Sequence, residues 1–182
     1  MSRGSCVLIG GGARSGKSSF ALDRARALGA RRVFLATAQA FDGEMVHRIA
    51  AHRTSRGADF TTLEEPLAVP RALAQLADAD VVVVDCLTLW ISNLLLRGDD
   101  QAAILAQVDE MLATLARLPF HTVLVTNEVG MGIVPDNALA RAFRDVTGIA
   151  HQRVARVADE VHFAVLGLVL RLRPAPVQVH GA

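Results

Sequence analysis

Short apolar runs alternate along the chain with longer segments in which apolar residues recur every three or four positions. The runs lie at residues 7–9, 33–36, 80–85 and 122–126. Between them, Ile104, Val108 and Met111 illustrate a spacing that places apolar side chains on one face of a helix. Strands that alternate with helices predict parallel βαβ units with right-handed crossovers. The pattern therefore predicts an α/β fold with a mostly parallel sheet flanked by helices.

The same pattern predicts where the elements begin and end. The predicted helices are residues 18–28, 42–56, 71–77, 87–96, a stretch capped by Asp99 or Asp100, and then 139–146 and 151–158. Residues 61–66 are predicted to be a polar connector, 161–172 one or two strands, and 174–182 a loose tail. With no linker long enough to separate domains, residues 1–182 are predicted to form a single α/β domain.

Residues 11–18 carry the most specific motif. They read Gly11, Gly12, Ala13, Arg14, Ser15, Gly16, Lys17 and Ser18, which is the phosphate-binding P-loop pattern between a predicted strand and a predicted helix. Glycines let successive backbone N–H groups point at phosphate oxygens. In such loops the lysine reaches the outer phosphates and the Ser18 hydroxyl can bind Mg²⁺. A glycine-rich turn before a helix is the plainer alternative.

Lys17 is the only lysine among 19 basic residues. A compact ammonium cannot be exchanged for a planar guanidinium without changing the phosphate geometry. Its position in the loop supports a phosphate-binding role.

Asp85 ends the run of four valines, Val81 to Val84. An acid at this position in P-loop enzymes holds Mg²⁺ directly or through water. A cap of the following helix is the alternative, and the two roles are compatible.

In the predicted helix 42–56, Glu44, Arg48, His52 and Arg56 follow one another at i,i+4 spacing. Neighbouring cations disfavour the imidazolium, so His52 is expected to be neutral. A neutral imidazole beside a phosphate site can attack phosphorus. A solvated charged face with an incidental histidine is the alternative, and the spacing alone favours it.

Composition narrows the function classes. The net charge of +1 argues against a nucleic-acid or anionic-membrane partner, and no apolar run is long enough to predict a membrane span. Cys6 and Cys86 lie at apolar strands, which predicts buried free thiols and a cytoplasmic location. His47 and His52 are five residues apart, which does not match the i,i+4 spacing of two zinc ligands on one helix, and the sequence has no cysteine cluster. Both observations argue against a zinc site. His121, His151 and His162 show no partner pattern.

The ordered motifs together resemble one family, the bifunctional adenosylcobinamide kinases and adenosylcobinamide-phosphate guanylyltransferases of cobalamin biosynthesis. The resemblance rests on residues 11–18, 36–39, 42–56, 64–66, 85–90, 93–95, 126–135, 140–141 and 143–145. Two positions depart from the family pattern: Phe60 replaces a common indole, and His151 replaces a common asparagine. Neither is expected to touch the nucleotide motifs.

The resemblance implies a RecA-like P-loop fold, a homotrimer, Mg²⁺, and GTP and ATP as substrates. It also implies that His52 is the guanylylated residue. The nucleotide contacts that it implies outside the loop are Ala36, Thr37, Ala38, Arg53, Thr54, Ser55, Arg56, Glu64 and Asp85.

The implied chemistry has two steps, phosphorylation of adenosylcobinamide and transfer of GMP to adenosylcobinamide phosphate through a guanylyl-histidine. A small-molecule kinase without guanylyl transfer is the alternative function. A regulatory nucleotide-binding module and a DNA-dependent ATPase are less compatible with the sequence.

Overall fold

In the computed structural model, residues 3–39, 43 and 57–180 are described. The strands are β1 (Cys6–Gly11), β2 (Arg32–Ala36), β3 (Thr61–Glu64), β4 (Val81–Asp85), β5 (His121–Val125), β6 (Glu160–Val165), β7 (Leu168–Arg173) and β8 (Gln178–His180). The helices are α1 (Lys17–Leu28), α2 (Val69–Gln75), α3 (Leu87–Arg97), α4 (Gln101–Leu115) and α5 (Ala138–Val157). The predicted helix 42–56, apart from Gly43, lies outside the described residues.

The strands form one sheet in the order β3-β2-β4-β5-β1-β6-β7-β8. The first six strands are parallel to one another, β7 is antiparallel to β6, and β8 is antiparallel to β7. The prediction of a mostly parallel sheet is therefore confirmed. In such a sheet the carboxyl ends of the parallel strands meet at one edge, where ligands bind.

Helices cover both faces of the sheet, as the all-valine strand β4 requires. One apolar cluster packs α2, α3, α4 and α5 against one face. A second cluster packs α1 against the other face, together with Phe34 and Phe60. Alternate valines of β4 enter the two clusters, and all four are fully buried.

Two segments predicted to lack secondary structure contain strands. The polar connector 61–66 contains β3, which pairs with β2 and forms an edge of the sheet. Its threonines are β-branched and suit a strand although they are exposed. The tail predicted at 174–182 contains β8, which pairs with β7.

The two helices predicted at 139–146 and 151–158 form one helix, α5. Gly148 lies inside it, where glycine costs about 1 kcal/mol relative to alanine. Burial of Val146, Ala150 and Val154 against the core offsets that cost. Of the one or two strands predicted for 161–172, the structure has two, β6 and β7.

Among the described residues, no helix is both long and apolar enough to span a bilayer.

Candidate nucleotide-binding site

The P-loop residues 11–18 connect β1 to α1 at the carboxyl edge of the sheet, where the sequence predicts them. Gly11 must be a glycine because an added Cβ would lie 2.5 Å from the Ala164 carbonyl oxygen. Gly16 has a φ of 93° and leads into α1, a conformation that glycine adopts without strain. The loop therefore turns tightly enough to bring its backbone close to a ligand.

Two features of this loop fit a phosphate group. Gly16, the N-cap of α1, provides no side-chain cap, and the first turn carries no acidic residue. The N–H groups at this helix start therefore remain available to an anion. Within the described chain, the Ser15 hydroxyl is buried and has no hydrogen-bond partner. A phosphate oxygen would satisfy it.

Lys17 folds back into the loop. Its side chain is 8% exposed, and its Nζ donates a hydrogen bond to the Gly12 carbonyl oxygen at 2.9 Å. Burial lowers the pKa of Lys17, and the nearby Cys86 and Asp85 oppose that shift. Among the described residues, the hydrogen-bond partner of Lys17 is this neutral Gly12 carbonyl oxygen, which a phosphate oxygen can replace with a stronger, charge-assisted bond.

Three of the residues that the resemblance selects align across neighbouring strands. Ala36 at the end of β2 lies opposite Glu64 of β3 on one side and Asp85 of β4 on the other. Glu64 is exposed and Asp85 is partly buried. The fold thus brings these positions together at the edge that carries the P-loop.

A buried polar network fixes the ends of β2 and β4. The Thr37 hydroxyl donates to the Cys86 carbonyl oxygen and accepts from the Cys86 N–H, both at 2.8 Å. Asn93 of α3 donates from one amide group to the carbonyl oxygens of Thr37 and Pro66, at 2.8 and 3.0 Å. The Thr37 N–H bonds to the Asp85 carbonyl oxygen. This network sets the positions of Asp85 and of residues 36–38.

The structure assigns the start of α3 to Cys86. Cys86 is the N-cap residue, and it makes no side-chain cap hydrogen bond. The alternative role of Asp85 as the helix cap is therefore not supported. Ser18 and Asp85 are oxygen donors of the kind Mg²⁺ prefers, together with waters and phosphates. Among the described residues, there is no group of three or more His, Cys, Asp or Glu side chains that could hold a metal ion by themselves.

The segment after β5 completes this edge. The Glu128 N–H donates to the Gly11 carbonyl oxygen at 3.0 Å, which ties the segment to the P-loop. Asn127 donates from its backbone and its amide to the Thr88 hydroxyl.

His151 of α5 contacts this segment, a partner that the sequence pattern did not reveal. Its Nε2 lies 2.6 Å from the Thr126 hydroxyl. Burial lowers the pKa of His151, and Glu128 opposes that shift. The contact joins positions 25 residues apart, so no local sequence pattern could reveal it.

Two further histidines and the two cysteines have structural roles. His121 bonds to Ser5, and His162 bonds to Glu160. Cys6 and Cys86 are buried free thiols, as predicted. Burial, with a contribution from Asp85, raises the pKa of Cys86 to about 11, so this thiol is not a nucleophile near neutral pH.

Five of the predicted site residues lie outside the part of the chain that the structure describes, and their roles stay predictions. They are His52, Arg53, Thr54, Ser55 and Arg56. Asn93 belongs to the motifs on which the family resemblance rests, but the sequence pattern assigns it no role. The signal that could have identified it is one amide side chain inside the mostly apolar helix α3.

Comparison with known proteins gives a consistent family match. The model of the family "Cobinamide kinase / cobinamide phosphate guanyltransferase" matches residues 7–172. The chain is 46% identical over 170 residues to the bifunctional adenosylcobalamin biosynthesis protein CobP of Pseudomonas aeruginosa, covering 93% of this chain and 98% of that one. It is 40% identical over 183 residues to CobU of Salmonella typhimurium, covering 92% and 99%.

Solved structures show the fold. A KaiC-like protein from Pyrococcus horikoshii is similar with a TM-score of 0.55 and 16% identity, covering 99% of this chain and 83% of that one. The RadB recombinase is similar with the same TM-score and identity, covering 98% and 87%. The prediction of a RecA-like P-loop fold is confirmed.

Proposed function

Because the chain belongs to the cobinamide kinase / cobinamide phosphate guanyltransferase family, we propose that it phosphorylates adenosylcobinamide and then transfers GMP to the product. The observation that carries this proposal is the P-loop inside that family match, with its buried Ser15 hydroxyl and Lys17 ammonium. Those groups suit a nucleoside triphosphate better than a neutral ligand.

In the kinase step, the P-loop binds the phosphates of ATP or GTP. The hydroxyl oxygen of the aminopropanol arm of adenosylcobinamide attacks the γ-phosphorus. The bond from the γ-phosphorus to the bridging oxygen breaks, ADP or GDP leaves, and the hydroxyl proton passes to water. Lys17 and the N–H groups of the loop stabilise charge on the transferring group. When bound at Ser18 and Asp85, Mg²⁺ supplies further charge neutralisation.

In the guanylyl step, the neutral imidazole of His52 attacks the α-phosphorus of GTP and pyrophosphate leaves. A phosphate oxygen of adenosylcobinamide phosphate then attacks the same phosphorus, and the P–N bond breaks. The product is adenosylcobinamide-GDP, and the route predicts ping-pong kinetics. We further propose that Ala36, Thr37, Ala38, Glu64 and residues 53–56 contact the nucleotide.

Two other properties belong to the proposal. The family resemblance supports a homotrimer, which analytical ultracentrifugation would measure. The buried free thiols support a reducing, cytoplasmic location.

Labelled GTP tests the guanylyl step against the kinase-only alternative. GTP labelled at the α-phosphate should leave acid-labile label on the wild-type protein and none on His52→Ala. The same variant should retain phosphorylation of adenosylcobinamide from γ-labelled nucleotide. His47→Ala is the matched control, because His47 is the neighbouring histidine in the predicted helix 42–56 but lies on a different face of it, and this variant should behave like wild type. Absence of α-label on the wild type, with kinase activity present, would favour the kinase-only function.

A further inference from the structure

Exposed apolar side chains border the P-loop on two sides. On one side, the segment after β5 carries Met131, Ile133 and Val134, with Ile133 96% exposed. On the other side, the turn between β6 and β7 carries Leu166, which is 93% exposed, and Leu168. Clusters of exposed apolar side chains on a soluble fold typically mark a binding surface.

The topology brings the start of the first segment and the β6–β7 turn next to the P-loop. β5 and β6 are the two neighbours of β1 in the sheet, and both run parallel to it. A Cβ added to Gly16 would lie 3.9 Å from the Cα of Gly167, so the β6–β7 turn adjoins the loop. The Glu128 N–H bond to Gly11 ties the other segment to the same loop.

The segment after β5 is held in position while its apolar side chains stay exposed. Its far end is fixed by Arg141, which donates to the carbonyl oxygens of Pro135 and Asp136 at 3.0 and 2.6 Å. Asn137 then caps α5 by accepting from the Ala140 N–H. Because the backbone is anchored, a ligand would meet a surface that is already in place.

The choice of residue in the β6–β7 turn is unfavourable for the fold alone. Leu166 and Gly167 both have positive φ, 54° and 79°. Such turns favour asparagine followed by glycine, and a leucine with positive φ is uncommon. An exposed leucine at this position indicates a role for its side chain.

We infer that these two groups, here named the apolar rim (Met131, Ile133, Val134, Leu166 and Leu168), bind the acceptor of the transfer reactions through the apolar surface of its corrin ring. The inference rests on the proposed function. The ring would lie on the rim so that the hydroxyl arm reaches the phosphates between its two sides. A second protein chain lying across both sides would cover the P-loop itself, which favours a small ligand.

Binding of adenosylcobinamide to the purified full-length protein tests the inference without turnover. Equilibrium dialysis, read by the visible absorbance of the corrin, gives the dissociation constant. We compare wild type with Ile133→Ser, Leu166→Asn and the double variant. Asparagine suits the positive φ of the turn, so Leu166→Asn retains the backbone. The matched control is Leu96→Ser: Leu96 is 62% exposed near the end of α3, about 15 Å along that helix from the P-loop edge.

The double variant should weaken adenosylcobinamide binding about tenfold or more, since it removes two apolar contacts. Its affinity for Mg-GTP and its sedimentation coefficient should be unchanged, and Leu96→Ser should match wild type. Unchanged adenosylcobinamide binding in the double variant would overturn the inference about the apolar rim and leave the proposed function standing. A change in sedimentation would instead assign the rim to an interface between copies and also overturn it. Failure of wild type to bind adenosylcobinamide would overturn the rim together with the proposed function.

Discussion

The amino edge of the sheet is held by charged pairs, whereas the carboxyl edge leaves polar groups for a ligand. Before β4, Asp80 accepts hydrogen bonds from the N–H groups of Ala30 and Arg31 and from the Arg31 guanidinium. Before β6, Asp159 accepts from Arg3 and from the Cys6 N–H. These contacts join the starts of neighbouring strands.

The carboxyl edge contrasts with this in its chemistry. Among the described residues, the Ser15 hydroxyl has no hydrogen-bond partner, and Lys17 donates to a neutral carbonyl oxygen. The start of α1 has no side-chain cap. The charged pairs at the amino edge therefore serve stability, whereas the P-loop at the carboxyl edge keeps groups that can bind a ligand. Substitutions at the two edges should have opposite consequences, and the predictions below test this in order of expected effect.

Lys17→Ala should cause the largest loss of function. Removing a charge that stabilises the phosphates should lower both transfer activities by about a hundredfold or more. Thermal stability should be retained, because a buried cation with a lowered pKa costs desolvation energy in the folded state. Activity assays and thermal melts measure the two effects. An inactive variant that is also unfolded would not agree with this division between edges.

Asn93→Leu should weaken Mg-GTP binding by an intermediate amount. It leaves the carbonyl oxygens of Thr37 and Pro66 without this donor, and a buried group left unpaired costs about 1–3 kcal/mol. Part of that cost should appear as a displaced β2 end and a nucleotide dissociation constant raised about tenfold. Titration calorimetry measures the constant.

Thr122→Val is the control for this prediction. Thr122 is buried in the same sheet, near the start of β5 rather than its end. The control should lose stability while keeping its affinity for Mg-GTP. Equal losses of affinity in both variants would show that Asn93 acts only through general stability.

Asp80→Asn should lower stability without changing nucleotide affinity. The pKa of Asp80 is lowered to about 2, chiefly by its hydrogen bonds to Arg31. Because the pKa is lower in the folded state, the carboxylate stabilises the fold at pH values above its ordinary pKa of 3.8. That contribution is lost as the pH falls towards 2. Thermal melts between about pH 2 and pH 6 should show this acid limb in wild type and a weaker one in the variant.

His151→Gln should have the smallest effect, seen only in the pH dependence of stability. Burial lowers the pKa of His151 below 6.5, so the unfolded chain binds the proton more readily. Wild-type stability should therefore fall as the pH drops from 6.5 through the lowered pKa. Urea unfolding at about pH 5 and pH 8 should show a smaller difference in this variant than in wild type. Identical differences would exclude a contribution from His151.

Sequence was sufficient for the features that depend on local pattern. The apolar runs of β4 and β5 and the P-loop between β1 and α1 were predicted within a residue or two. β3 and β8 were not, because each lies at an edge of the sheet, lacks an apolar run and is stabilised by its pairing with a neighbouring strand. The break predicted near Gly148 was wrong because core packing outweighs the helix propensity of one glycine.

The site was predictable only where one segment carries its chemistry. Residues 11–18 are contiguous, and Asp85 follows a strand that is easily recognised. The contacts that position them are long-range: Thr37 and Cys86 are 49 residues apart, and Thr126 and His151 are 25 apart. Such pairs show no spacing in the sequence, and only the sheet topology reveals them.

Hydrogen–deuterium exchange of the full-length protein with and without Mg-GTP tests the contrast between the two edges most directly. Backbone groups that bind a ligand become protected from exchange. We expect nucleotide to protect residues 11–18 and 36–38 and to leave residues 29–31 and 159–160 unchanged. Protection at the amino edge, with residues 11–18 unaffected, would contradict the account.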